Sequence, residues 1–436
     1  MPDSSTRVAI IGGGYAGMAA AVTLAEKNVS LSVFEAGTTL GGRARRVAVN
    51  GVTLDNGLHI LIGAYRETLR LIARVQPSPT DALLRLPLDW YVHQHLHLRA
   101  PRLPAPLHLA AALLTAKGAS LKESWAAMRM MRALRRAKFR LSRDTTVSAL
   151  LKAHAQGPLL TQHLWMPLCV SALNTPPDEA SAQLFLNVLR DGLNAGRAGS
   201  DLLISRLDLS ALFPEPAADF VRAHGGEVLT SHRVTALDPS VGGFQVTAGA
   251  GTRAYSHVIC ALPPHQVAAF LAGISALTET LAAVQALTYQ PITSVYLQFD
   301  GRVALPAPMT GIAQGVAHWL FDRDAICGQR GLIGAVISAE GPHQHLTQDA
   351  LAARVNQELA AHFGPLPPLQ WQRVISEKRA TFSATPGLHR PPQQTPLKNF
   401  WLAGDYTASE YPATLEAAVR SGIACAKGIL GDAAAL

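Results

Sequence analysis

Charge is scarce in this chain: Asp, Glu, Lys and Arg make up 16% of its 436 residues, while apolar residues make up 48%. That balance excludes intrinsic disorder, which needs high charge and little hydrophobicity. Cysteine is scarcer still. Cys169, Cys260, Cys327 and Cys425 lie far apart with no CxxC spacing, so neither a zinc site nor a disulfide framework is expected, and no metal is assigned. A reducing, cytoplasmic setting fits that usage. Long apolar runs are missing as well, since no stretch approaches the roughly 18 to 20 uninterrupted residues of a membrane span. The polar start, Met1 to Arg7, leads into a few strand-like residues and then glycines, which gives no signal-peptide core. Any membrane contact is therefore expected to be peripheral. The length predicts two or three domains at roughly 100 to 200 residues each.

What is present begins at once. Val8-Ala9-Ile10-Ile11 reads as a short strand, residues 15–27 as a helix rich in Ala and Leu, and between them stands the GxGxxG of Gly12, Gly14 and Gly17. The three glycines serve different ends. Gly12 permits the tight turn, Gly14 lets the backbone approach a pyrophosphate, and Gly17 allows close helix–strand packing. The helix N-terminus, at Tyr15 and Ala16, adds free N–H groups and a favourable dipole. A second strand, Leu31 to Phe34, delivers Glu35 and Ala36, with the carboxylate placed for an adenosine ribose. Six residues on come Gly41-Gly42-Arg43, a paired-glycine turn beside a guanidinium able to neutralise phosphate.

This arrangement resembles the two-dinucleotide-binding flavoproteins, and Leu54-Asp55-Asn56-Gly57-Leu58-His59 extends the resemblance to the amine oxidase and carotenoid desaturase superfamily. The resemblance implies FAD as cofactor, with Gly57 and His59 near the flavin. Near the C-terminus a strand closes on Gly404-Asp405 and a helix follows from Thr414 and Leu415; in similar proteins the matching Asp bonds the ribityl hydroxyls. Gly226–Leu229, Val234–Leu237 and Phe244–Thr247 read as strands of one meander, before a buried strand at His257–Leu262. The residue matching Val234 touches adenine through its backbone in similar flavoproteins. The expected fold class is α/β: a Rossmann-like, discontinuous FAD-binding domain (1–80, 200–268 and 395–436) with an inserted α+β substrate domain (81–199 and 269–394), amine oxidase-like.

The insertion carries most of the charge asymmetry. Net charge is +8 overall, and residues 117–143 alone hold nine Lys or Arg against the single acid Glu123. Arg129, Arg132, Arg136, Arg140 and Arg143 recur at helical spacing, with Met130, Leu134, Ala137 and Leu141 opposite. Such a basic amphipathic helix suits anionic lipid, or is a solvated face over a core stripe; both readings stand. Nucleic acid is not expected, because no aromatic residues interleave with the basic ones.

Leu164-Trp165-Met166-Pro167-Leu168-Cys169, Ala172-Leu173-Asn174-Thr175-Pro176, Ser200–Ile204, Leu209–Pro214, Gly63–Thr68 and Glu377–Phe382 together closely resemble the bacterial hydroxysqualene dehydroxylases, also called squalene-associated FAD-dependent desaturases. The likeness runs over almost the whole chain, with Leu58 a departure where Gln is expected. It implies reductive removal of a hydroxyl from hydroxysqualene to give squalene for hopanoid synthesis, at the inner face of the cytoplasmic membrane. His59, Cys169, Asn174 and Lys378 lie in the family-like segments and are candidates to protonate the leaving group, although a structural role suits each as well. The sequence names no electron donor. An oxidative carotenoid or phytoene desaturase is the second reading, and a non-catalytic isoprenoid carrier on the same fold the third.

Overall fold

The computed structural model describes residues 6–194, 196–249 and 251–431; the outer ends of the first and last expected segments, 1–5 and 432–436, lie outside them. In chain order, the elements used below are β1 (Arg7–Ile11), α1 (Tyr15–Ala25), β2 (Ser30–Phe34), β3 (Asp89–Val92), β4 (Leu96–Arg99), α2 (Leu107–Leu114), α3 (Leu121–Arg136) and α4 (Met166–Leu173). They continue with β5 (Glu227–Leu229), β6 (His257–Cys260), β7 (Tyr289–Phe299), β8 (Met309–Gly311), β9 (Trp319–Asp322), β10 (Leu332–Ser338), β11 (Leu369–Phe382), β12 (Phe400–Leu402) and α5 (Leu415–Leu430).

Two sheets dominate. The first is parallel, in the order β5-β2-β1-β6-β12. Its central strand β1 is buried on both faces from Val8 to Ile11, which is why its sequence is a continuous apolar run and does not alternate. Helix α1 is apolar all round and wholly buried, lying between this sheet and α5. Its small residues permit that: a Cβ on Gly422 of α5 would stand 2.0 Å from the Ala16 carbonyl oxygen.

One expected strand belongs elsewhere. The Gly226–Leu229 segment is not part of the meander; β5 pairs in parallel with Ser32–Phe34 of β2, with Val228 buried. The meander itself is an antiparallel trio, Val234–Ser240, Gly243–Ala248 and Gly251–Tyr255.

The second sheet runs β11-β7-β10-β9-β8-β3-β4 and is antiparallel except where β8 meets β3. Strand alternation divides its side chains between two compartments. Leu320, Ile333, Ala335 and Ile337 enter a core with Leu351, Val355 and Leu359 of the helix Gln348–Phe363. Trp319, Phe321, Val336 and Ser338 face the opposite side, where the large cavity lies.

The basic helix is shorter than its periodicity suggests. Helix α3 starts in a capping box between Ser120 and Glu123 and ends at Arg136, after which Lys138 and Phe139 take φ of 52° and 54° and Phe139 turns into the core. Met130 and Leu134 are buried as expected. Arg140 and Arg143 are off the helix, and Arg140 is ion-paired with Glu410.

Asp55 joins the two halves. It is 3% exposed; its Oδ1 accepts from the Leu209 N–H at 2.8 Å, and its carbonyl accepts from the Tyr296 hydroxyl at 2.9 Å. Burial pushes its carboxyl up to about 6, against the opposing Leu209 hydrogen bond and the Arg323 charge. The folded protein thus binds this proton more tightly than the unfolded chain, so the contribution is full below the unfolded value and is lost as pH rises through about 6. Between pH 7 and pH 4.5 the wild type should therefore gain stability relative to Asp55→Asn, by about 2 kcal/mol. Urea unfolding of the two proteins at both pH values measures the difference, and parallel pH dependences would contradict the assignment.

Candidate active site

A cavity of about 1160 Å³ opens at the carboxyl ends of β1 and β2 and extends along the second sheet. At its first end the chain turns from β1 into α1. Gly12 has φ +114°, and a Cβ there would stand 2.7 Å from the Ala261 carbonyl oxygen; one on Gly17 would stand 2.0 Å from the Gly12 carbonyl oxygen. The fold itself requires both glycines. Gly14 differs, since its φ is −79° and a Cβ would meet nothing nearer than Gly42 Cα at 3.8 Å. Backbone geometry does not demand glycine at position 14, so the space kept open there is available to a ligand. The same turn is held to the paired glycines by Gly41 N–H to the Gly13 carbonyl, 2.9 Å.

Glu35 also lines this end. Its carboxylate accepts from Gly13 N–H at 2.8 Å and Gly37 N–H at 2.7 Å, while its carbonyl accepts from His232 N–H at 2.8 Å, which brings Arg233 and Val234 to the same wall. Further along, Arg43 donates to the Ala380 carbonyl at 2.6 Å and is ion-paired with Asp405. Its guanidinium thus links β11 to the Gly404-Asp405 turn at the cavity wall. Thr414 caps α5 by accepting from Ala417 N–H at 3.1 Å. Of the expected cofactor set, Gly12, Gly14, Tyr15, Ala16, Glu35, Ala36, Gly41, Gly42, Arg43, Gly57, His59, Val234, Gly404, Asp405, Thr414 and Leu415 line the cavity. Gly17 packs behind it.

The four protonation candidates separate. Asn174 and His59 are at the cavity wall. His59 Nδ1 lies 2.8 Å from the Gly57 carbonyl, and burial, reinforced by the Arg43 charge, holds its imidazole below its ordinary value. A neutral ring facing a carbonyl carries its proton on Nδ1, so His59 has an acceptor to offer and no spare proton. Cys169 is fully buried on α4, away from the cavity lining, and burial pushes its thiol up to about 12. Lys378 is exposed on β11, and its neighbours Glu377 and Ala380 reach the cavity instead. Sequence reasoning missed Ser171, Trp319, Phe321, Val336 and Ser338 on the same wall; the four strand residues are selected only by the alternation of β9 and β10, invisible until both compartments are known, and Ser171 by the packing of α4 against Trp319.

The sequence profile described as "Flavin containing amine oxidoreductase" matches residues 15–430. The chain belongs to that family. A flavin-containing amine oxidoreductase of this kind is an oxidoreductase with FAD as its cofactor, and the open cradle at Gly14 fits such a group. The family member is 32% identical to "Hydroxysqualene dehydroxylase" of Rhodopseudomonas palustris over 96% of this chain and 97% of that one. It is 30% identical to the protein of the same name from Sinorhizobium fredii, over 95% and 96%, and 25% identical to "Zeta-carotene desaturase" of Synechocystis, over 99% and 98%. Among solved structures, cyclohexylamine oxidase from Brevibacterium oxydans shares the fold at a TM-score of 0.68 and 18% identity, covering 98% of this chain and 99% of that one.

The Gly14 geometry gives a clean expectation. Gly14→Ala should fold like the wild type, because no protein atom obstructs the new methyl group, yet purify with much less flavin; Gly14→Val should retain none. Flavin absorbance per mole of protein, read beside a thermal melt, checks both. Stoichiometric flavin in Gly14→Val would refute the placement.

Proposed function

We propose that this chain removes the hydroxyl of hydroxysqualene reductively to give squalene, supplying hopanoid synthesis. The observation that carries the reading is the likeness to hydroxysqualene dehydroxylases along the full length of both chains, at 32% and 30% identity, above the 25% of the carotenoid desaturase. In the net reaction the carbinol C–O bond breaks, a C–H bond forms, and the oxygen leaves as water after taking up a proton; the substrate gains two electrons. Reduced flavin, when bound, supplies hydride chemistry to that carbon. The chain's own part is to bind the hydrocarbon along Leu58, Ile60, Ile292, Trp319, Phe321 and Val336, to exclude bulk water, and to hold the reacting carbon in place. Residues 1–80, 200–268 and 395–436 would serve the cofactor in this scheme, and 81–199 with 269–394 the substrate. Anaerobic incubation with hydroxysqualene and a flavin reductant, followed by mass spectrometry, should yield squalene. Turnover of phytoene or ζ-carotene by the oxidised enzyme, without squalene formation, would favour the desaturase reading.

The substrate also calls for a lipid surface, and the α2–α3 region supports one. No helix among the described residues is long and apolar enough to cross a membrane. Exposed large hydrophobic residues nevertheless concentrate here: Leu121 is 66% exposed, Trp125 60% and Leu107 57%, with Leu103 and Leu114 beside them in sequence. The exposed face of α3 is apolar in its first turns and basic at Arg129, Arg132 and Arg136. The single acid, Glu123, is spent internally, capping α3 and accepting from Leu159 N–H at 2.9 Å. An apolar tip with a basic collar suits peripheral docking on an anionic membrane, placed here at the inner face of the cytoplasmic membrane. Leu121→Ser with Trp125→Ser should lower partition into vesicles containing phosphatidylglycerol about tenfold or more, and Arg129→Glu with Arg132→Glu should abolish its salt sensitivity. Co-sedimentation measures both; a serine double variant that sediments like the wild type would leave the region a solvated face.

A further inference from the structure

The cavity wall assigned above to hydrocarbon contains hydroxyls whose hydrogen bonding is one-sided. Trp319 Nε1 donates to Ser171 Oγ at 2.9 Å, and Asn174 Nδ2 donates to Thr381 Oγ1 at 2.9 Å. The amide of Asn174 cannot be read the other way round, because its Oδ1 accepts from Ala339 N–H at 2.7 Å while Nδ2 also reaches the Pro291 carbonyl at 3.2 Å. Indole N–H and amide NH₂ are donors only. Both hydroxyl oxygens therefore act as acceptors toward fixed partners, and each keeps its own proton to donate.

These groups form one patch. Ser171 and Asn174 are one helical turn apart at the end of α4, where Asn174 takes the left-handed conformation at φ 45° and is 4% exposed. Asn174 reaches Thr381 on β11 and the residue following β10, and Trp319 of β9 pairs with Val336 of β10. Ser171, Asn174, Trp319 and Thr381 all line the cavity. Thr381 is 8% exposed, so its oriented donor is costly unless an acceptor arrives, whereas Ser171 is open to the cavity, where an entering alcohol can reach it.

We propose that the hydroxyls of Ser171 and Thr381 form a subsite for the alcohol of a polyisoprenoid substrate, donating to its oxygen, with Asn174 and Trp319 as positioning residues that orient them. The inference rests on the proposed dehydroxylation and adds the group that recognises the leaving oxygen. As the C–O bond lengthens, that oxygen gains negative charge and the two hydrogen bonds strengthen. Squalene offers no acceptor, so the same donors disfavour retention of the product.

Binding to the oxidised holoenzyme tests this without turnover. Titration with hydroxysqualene and with squalene in the same detergent, followed by the perturbation of flavin absorbance, gives a preference for the alcohol. Ser171→Ala and Thr381→Val should each reduce that preference by about three- to tenfold while squalene affinity stays constant, and Thr381→Ser should restore it. Ser171→Ala alone suffices if Thr381→Val disturbs the Asn174 contact. A wild type without preference, a preference retained in the double variant, or equal loss of both affinities overturns the subsite. The dehydroxylation reading fails separately, if the reduced wild type makes no squalene.

Discussion

A β-carbon on Gly17 would lie 2.0 Å from the Gly12 carbonyl oxygen, and one on Gly422 would lie 2.0 Å from that of Ala16. The first contact seats α1 on β1, and the second seats α5 on α1. Both are approaches of backbone to backbone with nothing between them. The turn at residues 12–17 is held from below and from the side, so its upper surface stays available. Glu35, Arg43 and Asp405 can then be arranged round a fixed rim. A larger residue at either position would move the helix, and with it the part of the cavity wall that Tyr15 and Ala16 form.

The second sheet contributes a different discipline, one of sidedness. Its inner strands β9 and β10 are buried at every position and nearly all apolar, as expected where both faces are covered, so sequence hydrophobicity does not tell cavity from core there. The cavity face can be picked out only from the register, in which Trp319 opposes Val336 and Ile292 opposes Ser338. Polar residues on that face are the informative ones. Thr381 of β11 and Asn174, which reaches the sheet from the end of α4, are buried, while Ser171 of α4 opens to the cavity, and each is tied to a partner that fixes its direction.

That the residues at this end of the cavity come together was largely legible in the sequence, because they stand in short, local signals: glycines at fixed offsets, an acid at the end of β2, and Gly404-Asp405 before α5. Legibility ended where tertiary pairing decides. The Gly226–Leu229 segment has the composition of a meander strand but finds its partner in β2. The periodicity of the arginines continues through 143, yet the backbone leaves the helix at Arg136, where burial of Phe139 prevails over propensity. Lys378 and Glu377 are adjacent in sequence and on opposite faces of a strand, so a motif containing both could not say which one enters the site.

The contact between α1 and α5 also joins the beginning of the chain to its end, and this sets an order of assembly during synthesis. When β1, α1 and β2 have left the ribosome, the parallel sheet still lacks β5, β6 and β12, and one side of α1 has no cover. At roughly 5 to 20 residues per second, the segment containing Asp405 and α5 follows on the order of tens of seconds later. Through that interval the apolar surface of α1 lacks its native cover, and the cavity lacks the wall that Asp405 and α5 supply. The cavity is consequently completed late, once α5 has packed on α1.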